Sequence, residues 1–215
     1  MNIDEAFARI KEKRPESVYI SGKTSTGKST FAHRLEAELG YKIVELDKVV
    51  RESIITALDL DKAGEVFDEV YKKRSRLDWI RILVNSTLQI LRYHRANGSR
   101  VVIDGAIGNA VTLQEILAHS PSTEIIYLHP DEVETYCMYL TKRFMDTTES
   151  NHNGLPLAFW QQILDDDFEQ FCKDRVITPS LKRGIEAYAR ASQVSSEIRL
   201  KELQRSFKNI QVVSI

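Results

Sequence analysis

The stretch Ser21-Gly22-Lys23-Thr24-Ser25-Thr26-Gly27-Lys28-Ser29-Thr30 follows the apolar segment Val18-Tyr19-Ile20 and runs into the helical pattern KSTFAHRLEAELG. It matches G-x-x-x-x-G-K-[ST] at every fixed position, with Gly22, Gly27, Lys28 and Ser29 in those places. Between a strand and a helix, such a loop turns its backbone N–H groups and the positive helix end toward one point, where an anion can be held. The glycines let the backbone wrap closely. Lys28 would reach the β- and γ-phosphates of a nucleotide, and the Ser29 hydroxyl would ligate Mg²⁺. The whole run Gly22, Lys23, Thr24, Ser25, Thr26, Gly27, Lys28, Ser29 and Thr30 is therefore the candidate nucleotide cradle. The plain alternative is a Gly/Ser turn that happens to precede a basic helix.

The rest of the chain supplies the architecture such a loop needs. Five short apolar runs stand at 17–21, 42–46, 100–104, 124–129 and 211–214, the last with Ile210 before it. They are rich in Val and Ile and mostly continuous rather than alternating, which suits strands buried on both faces of a parallel sheet. Between them lie helical patterns. One runs from the loop to Gly40; another, over 77–98, carries Ile80, Leu83, Val84, Leu88 and Leu91 at helical spacing and ends at Asn97-Gly98. Alternation of strand and helix predicts a doubly wound α/β sheet.

Two regions exceed that minimal repeat. The charged stretch at about 59–76 follows the second strand, and a mainly helical region from about 141 to 206 surrounds TTESNHNGLP. Segments after the carboxyl ends of parallel strands lie where ligands bind, so these are expected to be substrate and lid elements, the lid over about 141–175.

With 215 residues and no Pro/Gly/Ser-rich linker, residues 1–215 are expected to form a single domain. A formal net charge of -1 gives no global reason for a polyanionic partner, so nucleic acid is not expected and any phosphate-binding charge must be local. No segment approaches the ~20 apolar residues of a membrane span, and the N-terminus lacks the apolar core of a signal peptide. The expected location is the cytoplasm. Cys137 and Cys172 form neither a C-x-x-C nor a zinc spacing and are expected to be buried free thiols.

Two carboxylates join the loop as candidates. Asp104 ends the run Arg100-Val101-Val102-Ile103-Asp104-Gly105, where a Walker B aspartate would hold Mg²⁺ directly or through water. An Asp-Gly turn after any strand has the same appearance. Asp47 falls at the end of the second strand candidate, and Arg51 follows four residues later on the same helix face. Asp47 could accept the proton of an attacking hydroxyl while Arg51 holds an anionic group of the acceptor. Equally, Asp47 could be a helix N-cap with an i,i+4 partner.

Taken in order, the phosphate loop, Glu45-Leu46-Asp47-Lys48-Val49-Val50-Arg51, Val101-Val102-Ile103-Asp104-Gly105, Ile125-Ile126-Tyr127-Leu128-His129-Pro130-Asp131 and a final short strand resemble the phosphate-loop (P-loop) kinase family. That family includes nucleoside and nucleotide kinases, shikimate and gluconate kinases, polynucleotide kinases and zeta-type toxin kinases. The resemblance implies the three-layer sandwich of a P-loop NTPase: a five-stranded parallel sheet in the order 2-3-1-4-5, ATP with Mg²⁺, and a lid after the fourth strand. It makes Asp47 the base or substrate ligand, and it places Lys142 and Arg143 like lid cations that neutralise the transferring phosphate. From Phe144 to Gln170 no further cation follows, and Arg175, Lys182 and Arg183 come next.

Gly105-Ala106-Ile107-Gly108-Asn109 lacks the Pro-Arg found in adenylate-kinase-like enzymes, which argues against a nucleoside monophosphate acceptor. The guanine-reading N-K-x-D pattern is also absent, which favours ATP. The expected activity is ATP-dependent transfer of the γ-phosphoryl to a hydroxyl of a small-molecule acceptor. A nucleoside or nucleotide kinase of the same fold, and an ATP-binding switch without kinase chemistry, remain the alternatives. Among the histidines only His129, at the carboxyl end of the fourth strand candidate, is placed to take part in a site. Lys72-Lys73-Arg74-Ser75-Arg76 is a solvated face or an anion contact.

Overall fold

The structure is a computed structural model that describes residues 1–23, 25–46, 48–49, 76–105, 110–119, 122–146, 171 and 173–215. Five strands are present where the apolar runs place them: β1 (Ser17–Gly22), β2 (Lys42–Glu45), β3 (Val101–Asp104), β4 (Thr123–His129) and β5 (Ile210–Ser214). All neighbours pair in parallel, in the order β2-β3-β1-β4-β5, which is the order expected from the resemblance. β1 is buried at every position because β3 and β4 flank it and helices cover both faces.

The described helices are α1 (Ile3–Lys13), α2 (Lys28–Leu39), α3 (Arg76–Ala96), α4 (Ala110–Ala118), α5 (Val133–Met145) and α6 (Pro179–Ser206). Strand residues alternate between two cores. Val18, Ile20, Val102, Ile126 and Leu128 face one side, where Phe7 and Ile10 of α1 and Phe31, Leu35 and Leu39 of α2 cover them. Tyr19, Val101, Ile103, Ile125 and Tyr127 face the other, against Val84, Leu88 and Leu91 of α3, Leu113 and Ile116 of α4, and Leu203 of α6. The result is a three-layer α/β sandwich.

Local chemistry sets the helix ends. Asn2 and Glu5 form a capping box at α1. α2 stops at Gly40, whose φ of 73° is the left-handed conformation that closes a helix and suits glycine.

A third apolar cluster lies apart from the two sheet faces. Tyr136, Leu140 and Phe144 of α5 pack on Leu181, Ile185 and Ala189 of α6 and on Phe171. α6 is thus divided between two duties: its first half pairs with α5, while Leu203 near its end joins the sheet core. Among the described residues no helix is long and apolar enough to cross a membrane. The expected insertion at 59–76 lies outside the described residues except for Arg76, which opens α3; of the expected lid, 147–170 and Cys172 lie outside them.

Candidate active site

β1 delivers the chain to Gly22 at the carboxyl edge of the sheet, and the loop begins there because no other residue fits. A Cβ on Gly22 would stand 2.6 Å from the Leu128 carbonyl oxygen, and φ is 146°. Gly27 closes the loop at φ 82° as the N-cap of α2. Having no side chain, it offers no cap hydrogen bond, and the first turn of α2 carries no acidic residue. The first N–H groups of this helix therefore lack the side-chain partners that Asn2 gives α1 and Thr178 gives α6. This arrangement leaves the positive helix end available to an anion.

The Lys23 carbonyl is the hub of the loop. It accepts from Lys28 Nζ at 2.7 Å and from Thr26 Oγ1 at 2.8 Å. The Walker lysine is thus folded across the loop it serves. Ser25 adopts φ 63°, costly for a residue with a side chain, and its buried hydroxyl has no hydrogen-bond partner among the described residues.

Ser29, in the first turn of α2, donates its hydroxyl to Asp104 Oδ2 at 2.6 Å. Asp104 ends β3 level with Ile20 of β1 and Glu45 of β2, and it is buried. Gly105 follows because the β2 end leaves no room: a Cβ there would lie 2.6 Å from that of Leu46. The Gly105 carbonyl accepts from the Tyr19 hydroxyl at 3.0 Å, which ties β1 to the turn after β3. The Ser29 and Asp104 oxygens form a hard, oxygen-only donor pair facing an open loop, since Gly27, Ser29 and Thr30 are exposed. That donor set fits Mg²⁺, which takes one or two protein oxygens and fills its remaining positions with phosphate and water.

The other expected site residues fall differently. Thr24, Asp47 and Arg51 lie outside the described residues. Lys142 is exposed at the last turn of α5. Arg143 lies within the α5–α6 pair, close enough to Tyr136 and Tyr188 that its charge partly offsets the upward push burial gives both phenols. His129 is an anchor: Nδ1 meets Ser196 Oγ at 3.1 Å, and the same hydroxyl meets the Tyr127 phenol at 2.9 Å. Cys137 is half-buried, and burial raises its thiol above its ordinary value.

One contact at the loop was not legible in the sequence. Lys23 turns its side chain away from the loop and donates to Ser195 Oγ of α6 at 2.6 Å, with Arg199 nearby. Burial, and then the Arg199 charge, lower its pKa.

A parallel sheet ordered β2-β3-β1-β4-β5, a glycine-rich loop between β1 and α2, and an aspartate closing β3 beside the loop serine define a three-layer α/β fold of the P-loop type. No family model matches the chain, and no curated protein matches it. Solved structures similar to it include a sugar kinase from Janibacter sp. HTCC2649, 15% identical, TM-score 0.48, covering 93% of this chain and 83% of that one. A gluconokinase from Sinorhizobium meliloti 1021 is 13% identical with a TM-score of 0.48, over 94% of this chain and 83% of its own. A shikimate kinase from Aquifex aeolicus vf5 is 13% identical with a TM-score of 0.39, over 89% and 99%.

Proposed function

We propose that the chain is an ATP-dependent phosphotransferase that moves the γ-phosphoryl group to a hydroxyl of a small-molecule acceptor. The observation that carries this reading is the 2.6 Å contact between Ser29 and Asp104 at the mouth of a loop whose helix end has no side-chain cap. A phosphate chain in that mouth would receive the loop N–H groups and the Lys28 ammonium, which would leave the Lys23 carbonyl for it. Ser29 and Asp104 would hold Mg²⁺, which when bound neutralises charge on the β- and γ-oxygens.

The remaining roles follow the chain. β2 pairs with β3 so that Glu45 is level with Asp104, and the sequence reaches Asp47 two residues later. Asp47 takes the proton of the acceptor hydroxyl as its oxygen bonds to phosphorus and the bond to the leaving diphosphate breaks. Arg51 holds an anionic group of the acceptor, and Arg143 adds positive charge to the transferring group. Catalysis of this kind rests on positioning and charge rather than on a covalent intermediate.

The test is single-turnover phosphoryl transfer by Asp47→Asn at saturating ATP, with the acceptor found by screening hydroxyl compounds with labelled ATP. Loss of a general base lowers the rate by ~10²–10⁴-fold at nearly constant ATP affinity. A helix cap would tolerate Asn, so a loss under about threefold removes Asp47 as the base.

A further inference from the structure

The Lys23 side chain belongs to the phosphate loop in sequence but not in direction. Its ammonium is given to a serine hydroxyl on α6, where Arg199 lies one turn beyond Ser195 on the same helix face. Arg199 is close enough to act on both Lys23 and the Tyr127 phenol. Among the described residues neither cation has a carboxylate within ion-pairing distance; the ion pairs present engage Lys13, His33, Arg34, Arg95 and His129.

Two like charges are thus held together, one of them half-buried, and among the described residues the hydrogen-bond partner of the Lys23 ammonium is a neutral hydroxyl. A hydroxyl accepts one of the three ammonium protons and supplies no counter-charge. A half-buried position thus carries a positive charge that no described carboxylate pairs with.

The location bears on what would neutralise it. The backbone carbonyl of Lys23 takes Lys28 Nζ, so the residue whose ammonium reaches α6 is itself part of the loop rim. We propose that Lys23 and Arg199, one from the loop and one from α6, form an anion subsite at the loop rim that takes a phosphate group beyond those the loop backbone holds. A dianionic phosphate offers several acceptors to an ammonium and a guanidinium at once, and it displaces the Ser195 hydroxyl as the partner of Lys23. The phosphate belongs either to the donor's own chain or to a phosphorylated acceptor. Because α6 also carries half of the α5–α6 cluster, occupation of the subsite joins that helix pair to the loop. The inference rests on the phosphate-loop reading above.

Titration calorimetry on the full chain separates these cases, with Mg²⁺ and a non-hydrolysable ATP analogue first and inorganic phosphate second. If the donor supplies the group, Arg199→Gln weakens the analogue about tenfold or more and Arg199→Lys recovers part of the loss. If the acceptor supplies it, the analogue binds all variants alike, and the analogue-saturated wild type takes up phosphate at least tenfold more tightly than Arg199→Gln. In both cases Ser195→Ala binds as tightly as the wild type or tighter, since it removes only the competing hydroxyl. Weakening by Ser195→Ala as large as that by Arg199→Gln would reduce the contact to a structural tether and overturn the subsite. Equal analogue affinity in wild type, Arg199→Gln and Arg199→Lys, with no phosphate uptake, overturns it too and leaves the loop reading standing. A wild type that does not bind the analogue overturns both.

Discussion

The Ser29 hydroxyl donates to Asp104 Oδ2 across 2.6 Å, joining the first turn of α2 to the end of β3. The two residues are separated by more than a third of the chain, and the pairing of β3 with β1 is what brings them together. Asp104→Asn keeps the shape and removes the charge. The gain in affinity that Mg²⁺ gives an ATP analogue should then fall about tenfold, some 1.4 kcal/mol, with metal-free affinity nearly unchanged. Titrations with and without Mg²⁺ measure both quantities, and an undiminished metal effect would remove Asp104 from the proposed metal site.

The two loop glycines should differ in their tolerance of a methyl group. Gly22→Ala sets a Cβ at 2.6 Å from a carbonyl oxygen in strained backbone, so it should cost about 3 kcal/mol or more. Gly27→Ala has open space around the new atom and only the left-handed φ to bear, a cost of ~1 kcal/mol. Urea denaturation of both variants checks the ordering.

Ser25 carries a buried hydroxyl with no partner among the described residues, in the loop proposed to hold the phosphates. Ser25→Ala should stabilise the free protein by about 1 kcal/mol, because the unsatisfied group is gone. The same change should weaken triphosphate binding severalfold. Opposite signs in thermal melts without and with the analogue are the expected result; equal shifts would contradict it.

Alkaline pH should loosen the α5–α6 pair. Burial is the main reason the Tyr136 phenol is raised from its ordinary 10.0, and Tyr188 beside it shifts the same way. A raised folded value means that the folded chain holds protons which the unfolded chain releases near pH 10. Stability is therefore full below that pH and falls as pH climbs through the raised value. Urea midpoints measured from about pH 8 to about pH 11 should drop, and less steeply in Tyr136→Phe.

The strands were legible because their physics is local. A run buried on both faces must be continuously apolar, and each of the five runs became a strand with ends shifted by a residue or so. β4 begins at Thr123 rather than Glu124, where the Thr123 and Ser17 hydroxyls meet at 2.6 Å. The loop was legible because its residue spacing is a short-range pattern, although the contact that requires Gly22 comes from Leu128 on the neighbouring strand. Ser195 and Arg199 were not. Ser195 takes its meaning from a contact with Lys23 across 172 residues and Arg199 from its charge near that lysine, and a serine on a helix surface has no pattern that announces it. The division of α6 was equally hidden: its apolar positions run on at one spacing, although those before Ser192 serve α5 and Leu203 serves the sheet.

The separateness of the third cluster bears on how such a chain can change over generations. Tyr136, Leu140, Phe144, Leu181, Ile185 and Ala189 pack on one another, while the residues beneath the phosphate loop belong to the sheet cores. Groups without shared neighbours respond to substitution almost additively. A lineage, or a mutant library, can therefore redraw the helices at the carboxyl edge while leaving the loop's footing intact. Substitutions in that cluster should therefore leave the packing under the loop largely unchanged.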